Sequence, residues 1–156
     1  MKINILSVNN KLPSWLNDGC SEYLKRFSAD FKVTLKEIKP ERRNNNQNIK
    51  QILSIEETRI RENIPFESKV VILDEKGQAL STIDFANYLS KWRDEGVNPC
   101  FIIGSADGLS SNLKKDGFFN MQLSRMTLPH GLAKIILIEQ LYRAVSIIHQ
   151  HPYHRS

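Results

Sequence analysis

The residues best equipped for chemistry stand at the end of the chain. His149-Gln150-His151-Pro152-Tyr153-His154-Arg155-Ser156 gathers three imidazoles, a phenol and a guanidinium. Three histidines so close invite a metal reading, but no cysteine or carboxylate lies nearby to complete a ligand set, and Pro152 interrupts any helical face. No metal is therefore expected. Two readings remain: a frayed, solvated tail, or a tail that folds over a site and meets an anionic substrate. Arginine and histidine suit phosphates, and tyrosine can stack on a base.

A second set of candidates lies in three turns: Leu73-Asp74-Glu75-Lys76-Gly77, Gly104-Ser105-Ala106-Asp107-Gly108, and Leu123-Ser124-Arg125-Met126-Thr127-Leu128-Pro129-His130. Each follows an apolar run that reads as a strand, and in open α/β sheets ligands bind beyond the carboxyl ends of strands. Glycine at 104 and 108 lets backbone approach a ligand closely, so freed N–H and C=O groups could read a heterocycle edge. Ordinary strand-to-helix turns would look the same. The spacing is neither a Walker loop nor a G-x-G-x-x-G fingerprint, which disfavours a nucleotide-phosphate site.

Elements that would hold these turns follow from periodicity. Lys2 to Val8 alternates, predicting a strand with one buried face. Pro13-Ser14 opens a helix carrying Trp15, Leu16, Tyr23, Leu24 and Phe27, and Phe31 to Ile38 alternates again. Residues 41 to 46 form a polar loop in which Arg42-Arg43 reads as solvated surface, as does Lys114-Lys115. An amphipathic helix runs from Asn48 to about Asn63. Lys69 to Asp74 and Cys100 to Ile103 are short unbroken apolar runs, as buried parallel strands require. Between them, Ser81-Thr82-Ile83-Asp84 resembles a capping box with a shortened acid and starts a helix through Leu89 and Trp92. Phe118 to Leu123 reads as a third core strand, and Leu132 to His149 as a last helix. That helix is apolar on more than one face and needs cover on two sides, one of which a partner copy could supply. The alternation predicts an α/β fold with a mostly parallel sheet flanked by helices.

The 156 residues amount to one domain, so 1–156 is read as a single unit. A net charge of +5 and a pI of about 9.3 favour an anionic partner. No RRM, KH or helix-turn-helix signature accompanies that charge. Cys20 and Cys100 lack CxxC spacing and read as reduced core thiols. The amino terminus enters a strand directly, without a signal peptide, and Ile135 to Ile138 is too short and too polar in its flanks to span a bilayer. A cytoplasmic protein with no membrane partner is expected.

Taken in order, several motifs carry a resemblance over essentially the whole chain: Lys11-x-Pro13-x-Trp15, Leu73-Asp74, Phe101-Ile102-Ile103-Gly104, Gly108-Leu109-Ser110, Thr127-Leu128-Pro129-His130, Glu139-x-Leu141-Tyr142-Arg143-Ala144, and His151-Pro152-Tyr153-His154-Arg155. The set resembles the small SPOUT-class methyltransferases that act on N3 of a pseudouridine in 23S ribosomal RNA. The resemblance implies a SPOUT-type fold with a C-terminal trefoil knot, a homodimer, and 23S rRNA within the ribosome as substrate. It implies S-adenosylmethionine as methyl donor, held by backbone around Leu73, Gly104, Leu123, Ser124, Arg125, Met126, Thr127 and Leu128. On that reading Tyr153, His154 and Arg155 are the catalytic set: Arg155 grips phosphate or the forming anion, His154 accepts a proton, and Tyr153 stacks or orients. Two departures stand out. Ser105-Ala106-Asp107 replaces a hook that usually has a second glycine and then Pro-Glu, and Lys134 stands where arginine is frequent. The competing reading is a non-catalytic ribosome-binding or assembly factor on the same fold; bound donor would discriminate between them.

Overall fold

The computed structural model describes residues 1–154. Arg155, one of the three expected catalytic residues, lies outside the described residues, as does Ser156. The elements run β1 (Lys2–Val8), α1 (Ser14–Leu24), β2 (Lys32–Ile38), α2 (Ile49–Asn63), β3 (Ser68–Ala79), α3 (Thr82–Asp94), β4 (Asn98–Ile103), α4 (Ser111–Asp116), β5 (Phe119–Gln122) and α5 (His130–Ile148), ending in a 3₁₀ turn (Pro152–His154). The five strands form one parallel sheet in the order β2-β1-β4-β3-β5.

Helices begin where the local chemistry allows. Asn48 caps α2 by accepting the Gln51 N–H at 2.8 Å. Ser81 and Asp84 form the reciprocal capping box of α3. Pro129 precedes α5, whose first turn contains His130, so this helix starts two residues earlier than the sequence periodicity suggests.

Both faces of the sheet are covered. On one side α1, α3 and α5 bury Ile3, Ile5, Val71, Phe101 and Met121 against Leu89, Leu137 and Leu141. On the other, Leu6, Ile72, Cys100 and Ile102 meet Ile60 of α2 and Leu113 of α4. The free thiols Cys20 and Cys100 fall in different layers, and burial pushes the Cys100 thiol up to about 12. Among the described residues, no helix is long and apolar enough to cross a membrane.

Four expectations change. β1 is buried on both faces, not one, because it lies between β2 and β4 with helices above and below. β3 continues past Asp74 to Ala79, with a register break between Leu73 and Gln78 that lifts residues 74 to 77 out of the ladder. Residues 111–116 form helix α4, and Lys114, which reads as solvated surface, pairs with Asp74 at 3.0 Å. The two-sided apolarity of α5 is met largely within the chain, since α1 and α3 flank it and the sheet lies beneath, while Leu132 stays exposed and Ile136 half-buried.

Candidate active site

β3, β4 and β5 are adjacent and parallel, so their carboxyl ends open on the same edge of the sheet. A cavity of about 560 Å³ lies there, a volume suited to a small organic ligand. Its walls are the excursion of residues 74 to 76 at the register break of β3, the turns after β4 and β5, and the first turn of α5. Leu73, Gly104, Leu123, Ser124, Met126, Thr127 and Leu128 all line it. Arg125, the remaining residue of the expected donor-binding set, is exposed and is not among the lining residues.

Each wall is built differently. The register break in β3 swings residues 74 to 76 over the cavity, and Gly77 lets the strand settle back onto β5, where a Cβ would stand 2.5 Å from the Met121 carbonyl carbon. Gln122 ties this flap down by donating to the Glu75 carbonyl at 2.7 Å. The middle wall is a hook from Ser105 to Gly108, closed by the Gly108 N–H donating to the Ser105 carbonyl at 2.9 Å, with Gly108 at φ +83°. The hook folds back over Gly104, where an added Cβ would meet the Gly108 oxygen at 2.5 Å. Glycine at 104 is thus required by the hook itself. A larger side chain there would displace backbone before it reached the cavity.

The cavity's titratable groups fall within the turns singled out from sequence, apart from Lys114, which reads as solvated surface, and their roles depend on distant partners. Asp74 pairs with Lys114 of α4 at 3.0 Å and accepts the Lys76 N–H. Burial alone would raise its pKa, but the hydrogen bonds from Lys114 and Lys76 outweigh it and hold the carboxyl below its ordinary value. His130 closes the floor. Its Nε2 lies 2.9 Å from Ser7 Oγ and 3.3 Å from Asn9 Oδ1, at the end of β1. Burial, reinforced by the Lys134 ammonium one turn further on, lowers its pKa, which favours the neutral imidazole. Lys134 is fully buried and pairs with Glu37 at 2.6 Å.

The carboxy-terminal tail is elsewhere in the same chain. The Tyr153 hydroxyl donates to Glu139 Oε1 at 3.2 Å, and its ring packs edge-on to Tyr142 with the Arg143 guanidinium over it at 4.9 Å. Glu139 lies about 13 Å along α5 from His130, at roughly 1.5 Å per residue. Burial, aided by Tyr23 and Glu139, pushes the Tyr153 phenol up to about 12. His154 Nδ1 is buried with no hydrogen-bond partner among the described residues. Within one chain, then, Tyr153 and His154 sit together against α5 and apart from the cavity. Among the described residues, no cluster of histidine, cysteine and carboxylate could hold a metal ion.

Comparison with known proteins agrees with this architecture. Residues 1–154 match the family described as predicted SPOUT methyltransferase. The protein named ribosomal RNA large subunit methyltransferase H in Neisseria gonorrhoeae is 48% identical over 156 residues, covering 100% of both chains. Its namesake in Dechloromonas aromatica is 44% identical over 100% of this chain and 99% of its own. A solved Legionella pneumophila methyltransferase in complex with SAM shares the fold: it aligns with 93% of this chain and 66% of its own at 16% identity, with a TM-score of 0.51. With one family model spanning nearly every residue and relatives aligned end to end, the chain belongs to the SPOUT methyltransferase family.

Proposed function

We propose that this chain transfers a methyl group from S-adenosylmethionine to N3 of a pseudouridine in 23S ribosomal RNA, acting on assembled ribosomal particles in the cytoplasm. The observation that carries the reading is the backbone-walled cavity at the ends of β3, β4 and β5, placed in a chain that aligns from end to end with proteins named for large-subunit rRNA methylation. The cavity fits the donor. Its volume accommodates a nucleoside-sized ligand, its carbonyls and N–H groups at strand ends can hydrogen-bond an adenine edge, and glycine backbone at 104 and 108 permits close approach.

Bound there, the donor supplies a methyl already activated on a sulfonium. The chain's own contribution is alignment, exclusion of water and handling of one proton. The 123–128 turn and the hook hold the donor. The N3–H of the acceptor base must lose its proton as nitrogen attacks, and His154 is the group proposed to receive it. Burial, aided by Tyr23 and Glu139, pushes the Tyr153 phenol up to about 12, so near neutral pH it keeps its proton, orients the base and is not a proton acceptor. Arg155 is proposed to hold phosphate or the developing anion.

The tail and the cavity must come together for this chemistry. We propose that a second copy brings them together in a homodimer, with the tail of one subunit completing the cavity of the other. Exposed apolar side chains beside the cavity supply a surface for that contact. Met126 is 78% exposed, and Trp15 and Leu132 flank the packing of Leu16 on Gly131 where α1 meets α5. In the same reading residues 1–156 are one domain whose C-terminal part is threaded as a trefoil knot.

Mapping modified nucleotides in rRNA from a strain lacking the protein tests the assignment. Loss of a methyl at a single pseudouridine, restored by the purified protein and S-adenosylmethionine on ribosomal particles, is the expected result. Unchanged rRNA modification would overturn it.

A further inference from the structure

The strongest unexplained feature outside the reacting groups is Arg43, which reads from sequence as solvated surface. Its guanidinium uses every donor it has. Nε and Nη2 reach Asp107 Oδ2 at 3.1 and 2.9 Å, Nη2 also reaches Ser105 Oγ at 2.8 Å, and Nη1 donates to the Glu41 carbonyl at 2.6 Å and to Glu56 Oε1 at 2.7 Å. Glu56 is 2% exposed on α2, accepts the Glu41 N–H at 3.0 Å, and receives the Ser105 hydroxyl at 2.7 Å. A lone surface ion pair contributes little. This one is a closed network around a buried carboxylate, and it joins the loop after β2 to the hook.

The hook needs such a brace. Its own ties are the single Ser105–Gly108 turn bond and the closeness of Gly108 to Gly104. Ala106 and Asp107 are exposed. Ser105 does what glycine at that position could not, since its hydroxyl accepts from Arg43 while donating to Glu56. No proline stiffens the hook, so side-chain hydrogen bonds supply its rigidity.

We propose that Arg43, through Glu56, Ser105 and Asp107, is the positioning residue that fixes the 105–108 wall of the cavity and thereby sets affinity for the methyl donor. The inference rests on the donor-binding reading of the cavity. Arg43 touches neither donor nor RNA in this account. Its effect is on how much order the hook must gain when the donor binds.

The test compares full-length wild type with Arg43→Lys and Ser105→Gly. Lysine keeps a cation beside buried Glu56 but lacks the planar fork that spans Ser105 and Asp107 together. Calorimetric titration with S-adenosylmethionine is expected to show affinity about tenfold weaker in Arg43→Lys and weaker by a smaller factor in Ser105→Gly, the size of one charge-assisted hydrogen bond. On ribosomal particles, the donor KM should rise in parallel while kcat at saturating donor changes less. A general loss of structure would lower both kcat and the amount of folded protein instead. Unchanged donor affinity in both folded variants overturns the inference, as does a fall in kcat with donor KM intact. Should Arg43→Lys fail to fold, Ser105→Gly and Asp107→Asn, which each alter one half-buried or exposed group, decide by the same criterion. If wild type itself binds no donor, the reading of the cavity fails and the inference fails with it, an outcome distinct from equal binding by all variants.

Discussion

Removing either partner of the Lys134–Glu37 pair should have unequal consequences. Lys134 is fully buried, while the Glu37 side chain is 44% exposed and also accepts from Asn9 at 3.1 Å. In Glu37→Gln the ammonium keeps its place inside the protein with no counter-charge. Breaking a fully buried pair costs about 3–5 kcal/mol, and the partial exposure of Glu37 reduces this to about 2 kcal/mol here. In Lys134→Met the remaining carboxylate turns to water and the flexible thioether refills the space, so the cost should stay below about 1 kcal/mol. For a chain of this length about 2 kcal/mol corresponds to roughly 4–8 °C in Tm. Urea unfolding at pH 7, at one fixed protein concentration, reads the difference as a shift in midpoint at constant slope. The reasoning is refuted if Lys134→Met is destabilised as much as Glu37→Gln. The pair also has a pH signature. The Lys134 hydrogen bond holds the Glu37 carboxyl below its ordinary value despite some burial. Its contribution is therefore present above the unfolded carboxylate range and is lost as pH falls through the folded value, and that loss should be missing in Glu37→Gln.

Gly104→Ala puts a Cβ 2.5 Å from the Gly108 oxygen, so the hook must shift; at about 1–3 kcal/mol for such overpacking, donor affinity should fall roughly ten- to hundredfold by calorimetry, and unchanged affinity would count against the cavity. His130 is held neutral by burial with a pKa below 6.5, so the unfolded state binds more protons and stability should decline as pH drops below 6.5; His130→Gln should flatten that decline in urea unfolding. If about three to five phosphates are contacted, affinity for ribosomal particles should fall steeply with salt, and a flat log–log plot would exclude a phosphate-dominated contact. Deleting residues 153–156 should abolish methyl transfer and spare donor binding, and mixed dimers with Gly104→Val should regain activity; inactive verified mixed dimers would show that the tail does not act across subunits.

Local chemistry explains which features were legible beforehand. Ser81 with Asp84, and the apolar runs of β3 and β4, declare themselves through neighbours within a few residues. The three cavity turns were visible because each follows such a run. Other features depend on groups far apart in sequence. Nothing near Arg43 announces Asp107, 64 positions away, or Ser105, 62 positions away. Lys134 stands out in sequence only where arginine is frequent, and the end of β2, 97 positions earlier, shows how its charge is met. Helix α4 was masked because its six residues are polar apart from Leu113, the one that reaches the core.

The same distinction bears on the tail. Its residue types are legible and suit a phosphate and a base, but their use depends on which surface they meet. In one chain Tyr153 meets Glu139, Tyr142 and Arg143, an arrangement that fixes the phenol and keeps it protonated. The cavity, some distance along α5, has Asp74 neutralised by Lys114 and His130 favoured as the neutral imidazole. Neither of these two groups is a strong base: the carboxylate is held low by its partner, and burial weakens the imidazole, which lies against Ser7. For the proposed reaction, which takes a proton from a weak ring acid, Asp74 and His130 are therefore poor candidates for the base. His154, with a buried nitrogen that has no partner among the described residues, is the nearest chemical candidate, and it must be brought to the cavity from outside. On the proposed reaction, the tail's chemistry thus complements that of the cavity, and this is the physical argument behind the proposal that a second copy of the chain completes the site.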